Sequence, residues 1–232
     1  MLHLSPRLST ALALLAGAKT VADIGCDHGR LAVALAQGGA MAVGVDISEP
    51  SLMKARRLVQ LAGQADRVEL RVGDGLSPLR TGEADAVCMM GMGGTLIAKL
   101  LATITPPLAG ARFAVLQPQS SQEDLRRFLY ENNYHISDDR VVRDGRRLYQ
   151  IIKAEPRATR QGLPAGFPEA CYTVGYMAVA QREPLLPELL ARQRVLAERR
   201  LREATGTAGE AKFIKQLDDI RRIECILTNS AP

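Results

Sequence analysis

Short apolar runs alternate with longer segments of helical periodicity through the first two thirds of the chain, and few folds accommodate that rhythm. Strand-like runs at 21–25, 42–45, 68–72, 86–90 and 112–116 are interleaved with helical patterns that begin near His28 and cover 50–62, 95–103 and 122–132. Ser5-Pro6 opens an earlier helix through Ala16, with serine as N-cap and proline where a missing N–H costs nothing. Two further strands at 134–142 and 147–153 flank Arg143-Asp144-Gly145-Arg146, whose Asp-Gly is a hairpin turn signal. Strands separated by helices must run parallel, and the helices then cover both faces of the sheet. The expected fold is therefore α/β, a Rossmann-like doubly wound and mostly parallel sheet with an antiparallel hairpin at its edge. In such sheets ligands bind at the carboxyl ends of the strands.

The rhythm stops after Pro156. Residues 157–168 are rich in Gly, Pro and Arg and read as a linker, followed by helical patterns at 185–203 and 210–227. Leu186, Leu189, Leu190 and Leu196 form one apolar stripe, and Phe213, Leu217, Ile220 and Leu227 form another. The break at 205–209, Thr-Gly-Thr-Ala-Gly, makes the pair an antiparallel helical hairpin. The expected division is a ligand-binding domain over 1–155 and a linker with a helical domain over 156–232.

Composition narrows the class. The 232 residues are 47% apolar and 24% charged, which excludes a disordered or collagen-like chain. The apolar stretch at 11–16 is cut by Gly17 and Lys19 and is too short to span a membrane, and no signal cleavage site fits it. A cytoplasmic protein is expected, with its four scattered cysteines (Cys26, Cys88, Cys171, Cys225) reduced and mostly buried. Three histidines and those cysteines offer no ligand set at metal spacing, so no metal is expected. A net charge of +5 permits an acidic partner such as RNA. The absence of Trp and the scarcity of aromatics argue against a surface that stacks many bases.

The first strand ends in Asp23-Ile24-Gly25-Cys26-Asp27-His28-Gly29. A dinucleotide site needs glycine where Asp27 stands, because the backbone there approaches a pyrophosphate. A carboxylate repels a diphosphate, which disfavours NAD. It attracts the sulfonium and ammonium of S-adenosylmethionine. Asp46, ending the second strand before Ile47, is placed to accept from both ribose hydroxyls. Asp74, in Gly73-Asp74-Gly75-Leu76 after the third strand, can accept from the adenine amino group. Acids at three successive strand ends form the pattern of a class I methyltransferase, with Asp23, Gly25, Cys26, Asp27, Asp46, Ile47, Asp74, Gly75 and Gly91 as its expected cofactor residues. The fourth strand runs into Met89-Met90-Gly91-Met92-Gly93-Gly94-Thr95, where an exocyclic-amine methyltransferase would carry Asn/Asp-Pro-Pro-aromatic. That glycine run is expected to be a loop between strand and helix, open to another molecule.

Taken together, Leu4-Ser5-Pro6-Arg7-Leu8, the Asp23 to His28 turn, Gly73-Asp74-Gly75-Leu76, the run from Gly91 to Ile97 and Gln117-Pro118 resemble the bacterial tRNA adenine-N1 methyltransferases acting on nucleotide 22, the TrmK family. Leu125-Arg126 and Tyr149-Gln150-Ile151-Ile152 resemble its later segments, and its members also end in a coiled-coil-like helical appendage. The chain departs from the usual family pattern at Arg30, Gln119 and Tyr176. The resemblance implies methyl transfer from S-adenosylmethionine to adenine N1 in tRNA. A different RNA or small-molecule substrate, or a non-catalytic adenosine- or RNA-binding module, stays open as an alternative.

Adenine N1 already carries a lone pair at neutral pH, so the work of such a site is positioning and charge stabilisation. Asp27 is expected to accept from the adenine amino group, and His28 to position the base or accept a proton. Gln117 is expected at the base edge, with Gly91 and Met92 beside the reacting atoms. Arg7, Arg30, Arg192 and Arg199 are the expected RNA contacts, although cations only slightly outnumber anions beyond residue 154. Weak self-association is a further expectation.

Overall fold

The computed structural model describes residues 2–159 and 162–229. Five parallel strands form the centre of one seven-stranded sheet: β1 (Thr20–Ile24), β2 (Met41–Asp46), β3 (Val68–Val72), β4 (Ala86–Gly93) and β5 (Phe113–Ser120). An antiparallel hairpin, β6 (Tyr134–Asp144) and β7 (Arg147–Pro156), completes the order β3-β2-β1-β4-β5-β7-β6. The chain reverses its strand order beside β1, so a crevice lies over the carboxyl ends of β1 and β4.

Alternate residues of the central strands face opposite layers, as the pleat requires. Ile24, Val45, Val87, Met89 and Leu116 pack under α4 (Gly94–Ala102) and α5 (Gln122–Glu131). Val21, Ala86, Cys88 and Val115 pack under α1 (Pro6–Leu14) and α2 (Arg30–Gln37), with α3 (Glu49–Leu61) closing that face through Val59. Both faces are thus covered, and the strands read as near-continuous apolar runs for that reason. Ser5 occupies the N-cap of α1 with Pro6 first in the helix, but its hydroxyl makes no capping bond.

The ends of β4 and β5 both run past the sequence expectation, for one cause. β4 continues to Gly93 and β5 to Ser120, pairing Met90 with Gln117, Met92 with Pro118 and Gly93 with Ser120 across two irregularities. The glycine run is therefore bulged strand and not a free loop. Bulges re-aim side chains near sites, and Pro118 is tolerated because it falls at such an irregularity. The helix expected near His28 begins at Arg30, after Gly29 in a left-handed conformation.

After the sheet, the short helices α6 (Ala170–Val174) and α7 (Tyr176–Ala180) precede α8 (Leu186–Ala204) and α9 (Glu210–Asn229). The two short helices escaped the periodicity analysis because neither is long enough to show a repeat. Leu186, Leu189, Leu190 and Ile220 are buried together with Cys171, Val174 and Val141 of β6. Leu196, expected in the same stripe, is instead 46% exposed. Part of the linker expectation, at residues 160 and 161, lies outside the described residues. Cys26, Cys88 and Cys171 are buried and Cys225 is exposed, all four as free thiols. No helix among the described residues is long and apolar enough to cross a membrane.

Candidate active site

The turn after β1 is fixed by the neighbouring strand. The amides of Gly25 and Cys26 donate to the Val45 carbonyl at 2.7 and 3.1 Å, and the Asp27 amide donates to Asp46 Oδ2 at 2.9 Å. Asp46 Oδ1 accepts from the Ser48 amide at 2.9 Å, and the Gly73 amide donates to the Asp46 carbonyl at 3.1 Å. These bonds bring the ends of β1, β2 and β3, hence Asp23, Gly25, Cys26, Asp27, Asp46, Ile47, Asp74 and Gly75, to one edge of the sheet.

Gly25 has φ +71, and a Cβ there would collide with Met92 Cε. Only glycine lets the turn pass so close to the bulged end of β4. Asp27 also has positive φ, 46°, which aspartate tolerates better than most side chains. Its exposed carboxylate contacts His28 Nδ1 through Oδ2, so that contact leaves the other imidazole nitrogen unused. In the neutral imidazole, Nδ1–H donating to the carboxylate makes Nε2 an acceptor.

Asp23 is buried beneath this turn, and one of its carboxylate oxygens has no partner. Burial, followed by the charge of Asp46, pushes its carboxyl up to about 7, against an amide bond from Ala32. The same burial and acids raise the Cys26 thiol, which makes it a poor nucleophile. Asp23, Asp27 and Asp46 thus gather three acids around a glycine turn, with the His28 imidazole on Asp27 and no lysine or arginine bonded to any of them among the described residues. That donor set fits a small ligand carrying its own positive charges, and it fits S-adenosylmethionine. Among the described residues no group of side chains could hold a metal ion.

Gln117, on the buried part of β5, is fully enclosed. Its Oε1 accepts from Arg7 Nη1 at 3.0 Å, while its Nε2 has no partner. Arg7 Nε donates to Asp144 at 3.0 Å, and the guanidinium lies 4.4 Å above the Tyr149 ring. Arg7 is thus a strut between α1, β5 and the edge hairpin, and its guanidinium is committed to that role. The sequence marks Asp144 only as a turn residue and Tyr149 only as part of a family-like run, and neither signal points to Arg7, which they meet only in three dimensions. Gly91 and Met92 lie on the bulged end of β4, Met92 against Gly25.

Of the remaining expected RNA contacts, Arg30 directly follows the site turn, whereas Arg192 and Arg199 lie on α8. Arg30 donates to the carbonyl of His3. Arg192 bonds Glu188 at 2.8 Å and the Arg146 carbonyl at 3.1 Å, and Arg199 pairs with Glu203 at 2.9 Å.

Comparison with known proteins fits this geometry. A family model described as a methyltransferase domain matches residues 4–152, and the chain belongs to that family. Among its relatives is a protein of Bacillus subtilis strain 168 named tRNA (adenine(22)-N(1))-methyltransferase, 33% identical over 156 residues. The match spans 66% of this chain and 66% of that relative, just under two thirds of its length. The crystal structure of the B. subtilis m1A22 tRNA methyltransferase TrmK superposes with a TM-score of 0.81 at 26% identity, covering 98% of this chain and 100% of that one. TrmK of M. capricolum, in complex with S-adenosyl-homocysteine, superposes with a TM-score of 0.76 at 19% identity, covering 97% of each chain. The likeness to TrmK read from the sequence is borne out, and with the last two structures it extends over the helical appendage.

Proposed function

We propose that this protein transfers the methyl group of S-adenosylmethionine to N1 of an adenine in tRNA, at nucleotide 22, in the cytoplasm. The observation that carries the reading is the acidic turn of Asp23, Asp27 and Asp46 around Gly25, to which no lysine or arginine is bonded among the described residues. It lies within residues 4–152, the segment that matches the methyltransferase-domain family. The cofactor supplies an electrophilic methyl on a sulfonium.

The chain's own residues do the holding and the orienting. Asp46 accepts the ribose hydroxyls with lone pairs left over from its two amide bonds. Ile47, 72% exposed, gives the cofactor's adenine an apolar face, and Asp74 accepts from its amino group. Asp27 accepts from the 6-amino group of the target adenine, and its charge offsets the positive charge that N1 acquires on methylation. His28 Nε2 is the acceptor on the solvent side of the same base. Gln117 is enclosed, its carbonyl oxygen held by Arg7 and its NH2 group unpartnered, so it supports the base-binding side of the site from within the fold.

Labelled methyl transfer to unmodified tRNA transcripts with adenine or guanine at nucleotide 22 tests the reading. Label recovered as N1-methyladenosine from the adenine transcript alone is the expected result. Equal labelling of both transcripts would move the target elsewhere in the molecule, and no labelling despite cofactor binding would exclude tRNA.

A further inference from the structure

A cleft of about 620 Å³ lies between the helical hairpin and the methyltransferase domain. Ser120 and Ser121, at the end of β5, form its inner wall. Leu196 and Arg200 of α8 and Lys212 and Phe213 of α9 form the outer one. The inner wall adjoins the proposed active site, because Ser120 is in register with Gly93 and the Ser121 carbonyl packs against Gly94.

The charges of the cleft do not cancel. Glu123 is met by Arg127 at 3.0 Å, Glu169 by Lys215 and by Arg127, and Asp219 by Lys215 at 3.9 Å. Every carboxylate lining the cleft is thereby paired. Arg200 and Lys212 make no hydrogen bond or ion pair among the described residues, so two cations face the space without an anion. Beside them Leu196 is 46% exposed and Phe213 is half-buried, so the cleft also offers an apolar surface. The outer arginines, Arg192 and Arg199, are by contrast already occupied by Glu188 and Glu203.

We infer that this cleft holds the RNA strand next to the target adenine, with Arg200 and Lys212 on its phosphates and one flanking base against Phe213. The inference rests on the tRNA reading above and adds the part of the hairpin that grips the substrate. Two unpaired cations beside a half-buried aromatic match the alternation of phosphate and base in a single strand. Continuity with the glycine-rich end of β4 places that strand at the methyl acceptor.

The test compares the full-length wild type with Arg200→Gln/Lys212→Gln, and with Arg192→Gln/Arg199→Gln as the outer control. It uses an unmodified tRNA transcript over a range of salt concentrations, with S-adenosyl-homocysteine affinity measured alongside. Losing two phosphate contacts should reduce the salt slope by about 1.5 and weaken tRNA binding roughly tenfold. KM for tRNA should rise with kcat unchanged, cofactor affinity should stay at the wild-type value, and the outer pair should behave as wild type. Phe213→Ala should raise KM without changing the salt slope, which separates stacking from charge. Wild-type methyl transfer with an inner pair that matches wild type in slope and KM would overturn the cleft alone. Failure of the wild type to methylate any tRNA would overturn the functional reading and the cleft together. A polyglutamate peptide titrated in parallel covers a protein occupant: an inner pair that loses the peptide and keeps the RNA would overturn the RNA assignment.

Discussion

Asp23 is a carboxylic acid that the fold encloses before any ligand arrives. Its proton leaves near pH 7 in the folded chain and near 3.8 in the unfolded one. Between those values the folded state binds a proton that the unfolded state has lost, so the group's contribution to stability falls as pH rises through that window and levels off above it. Urea unfolding from pH 4 to 8 should show this slope, and Asp23→Asn should flatten it. A cationic ligand above the turn favours the ionised carboxylate, so cofactor binding near pH 7 should release protons. Calorimetry in buffers of different ionisation enthalpy measures that release. Gly25 obeys a different constraint, steric and not electrostatic. Gly25→Ala forces a left-handed alanine into the space of Met92 and should weaken S-adenosyl-homocysteine binding tenfold or more, since the conformation alone costs about 1–2 kcal/mol. Unchanged affinity by calorimetry would mean that the turn does not contact the cofactor.

Elements are joined by two arginines that use the same chemistry in different surroundings. Arg126 of α5 is fully buried and donates to Asp139 of β6 at 3.0 and 2.8 Å, to Gln150 of β7 at 2.7 Å, and to the carbonyls of Tyr172 and Thr173 in α6, each at 3.1 Å. Gly175, with φ +96, keeps the chain clear of this pair, where a Cβ would strike the Asp139 carboxylate. Arg126→Ala leaves a buried carboxylate alone and should cost about 3–5 kcal/mol in urea unfolding, whereas Arg126→Met with Asp139→Leu should recover most of that loss. Arg7 is only partly buried and links α1 to Gln117 and the edge hairpin. Arg7→Ala frees the Gln117 amide to rotate and should lower kcat/KM for tRNA by about tenfold while leaving cofactor affinity unchanged. A matching loss of cofactor affinity would show that Arg7 supports the whole site and not the base edge alone.

At the scale of the whole molecule, the helical region is tied to the sheet by more than a linker. Val141 of β6 belongs to the apolar cluster of α6–α9, its amide donates to Glu183 at 3.3 Å, and Arg143 of the edge hairpin pairs with Glu188 of α8. Together with the Arg126 contacts, these bonds cross the expected division at residue 155. The chain should therefore unfold in one transition, with helix signal and tyrosine fluorescence changing together. Two separated transitions would mean that the helical region folds independently of the sheet.

Local pattern determined a good deal of this. The β-α alternation, the Asp-Gly hairpin and the acids ending β1, β2 and β3 follow from periodicity and turn chemistry, which act over a few residues and can be read along the chain. The same holds for the α8–α9 hairpin, although Leu196 shows that a stripe of correct spacing need not be buried along its whole length. Tertiary structure decided what the pattern could not. It drew the Gly91–Gly93 run into a strand, because β5 continues far enough to offer it hydrogen-bond partners. It committed Arg7 to Gln117 and Asp144, residues more than a hundred positions away along the chain. It left Arg200 and Lys212 unpaired while Arg192 and Arg199 found partners, because a charge is neutralised by whatever the fold sets beside it, and sequence spacing fixes that only within a single helix or strand.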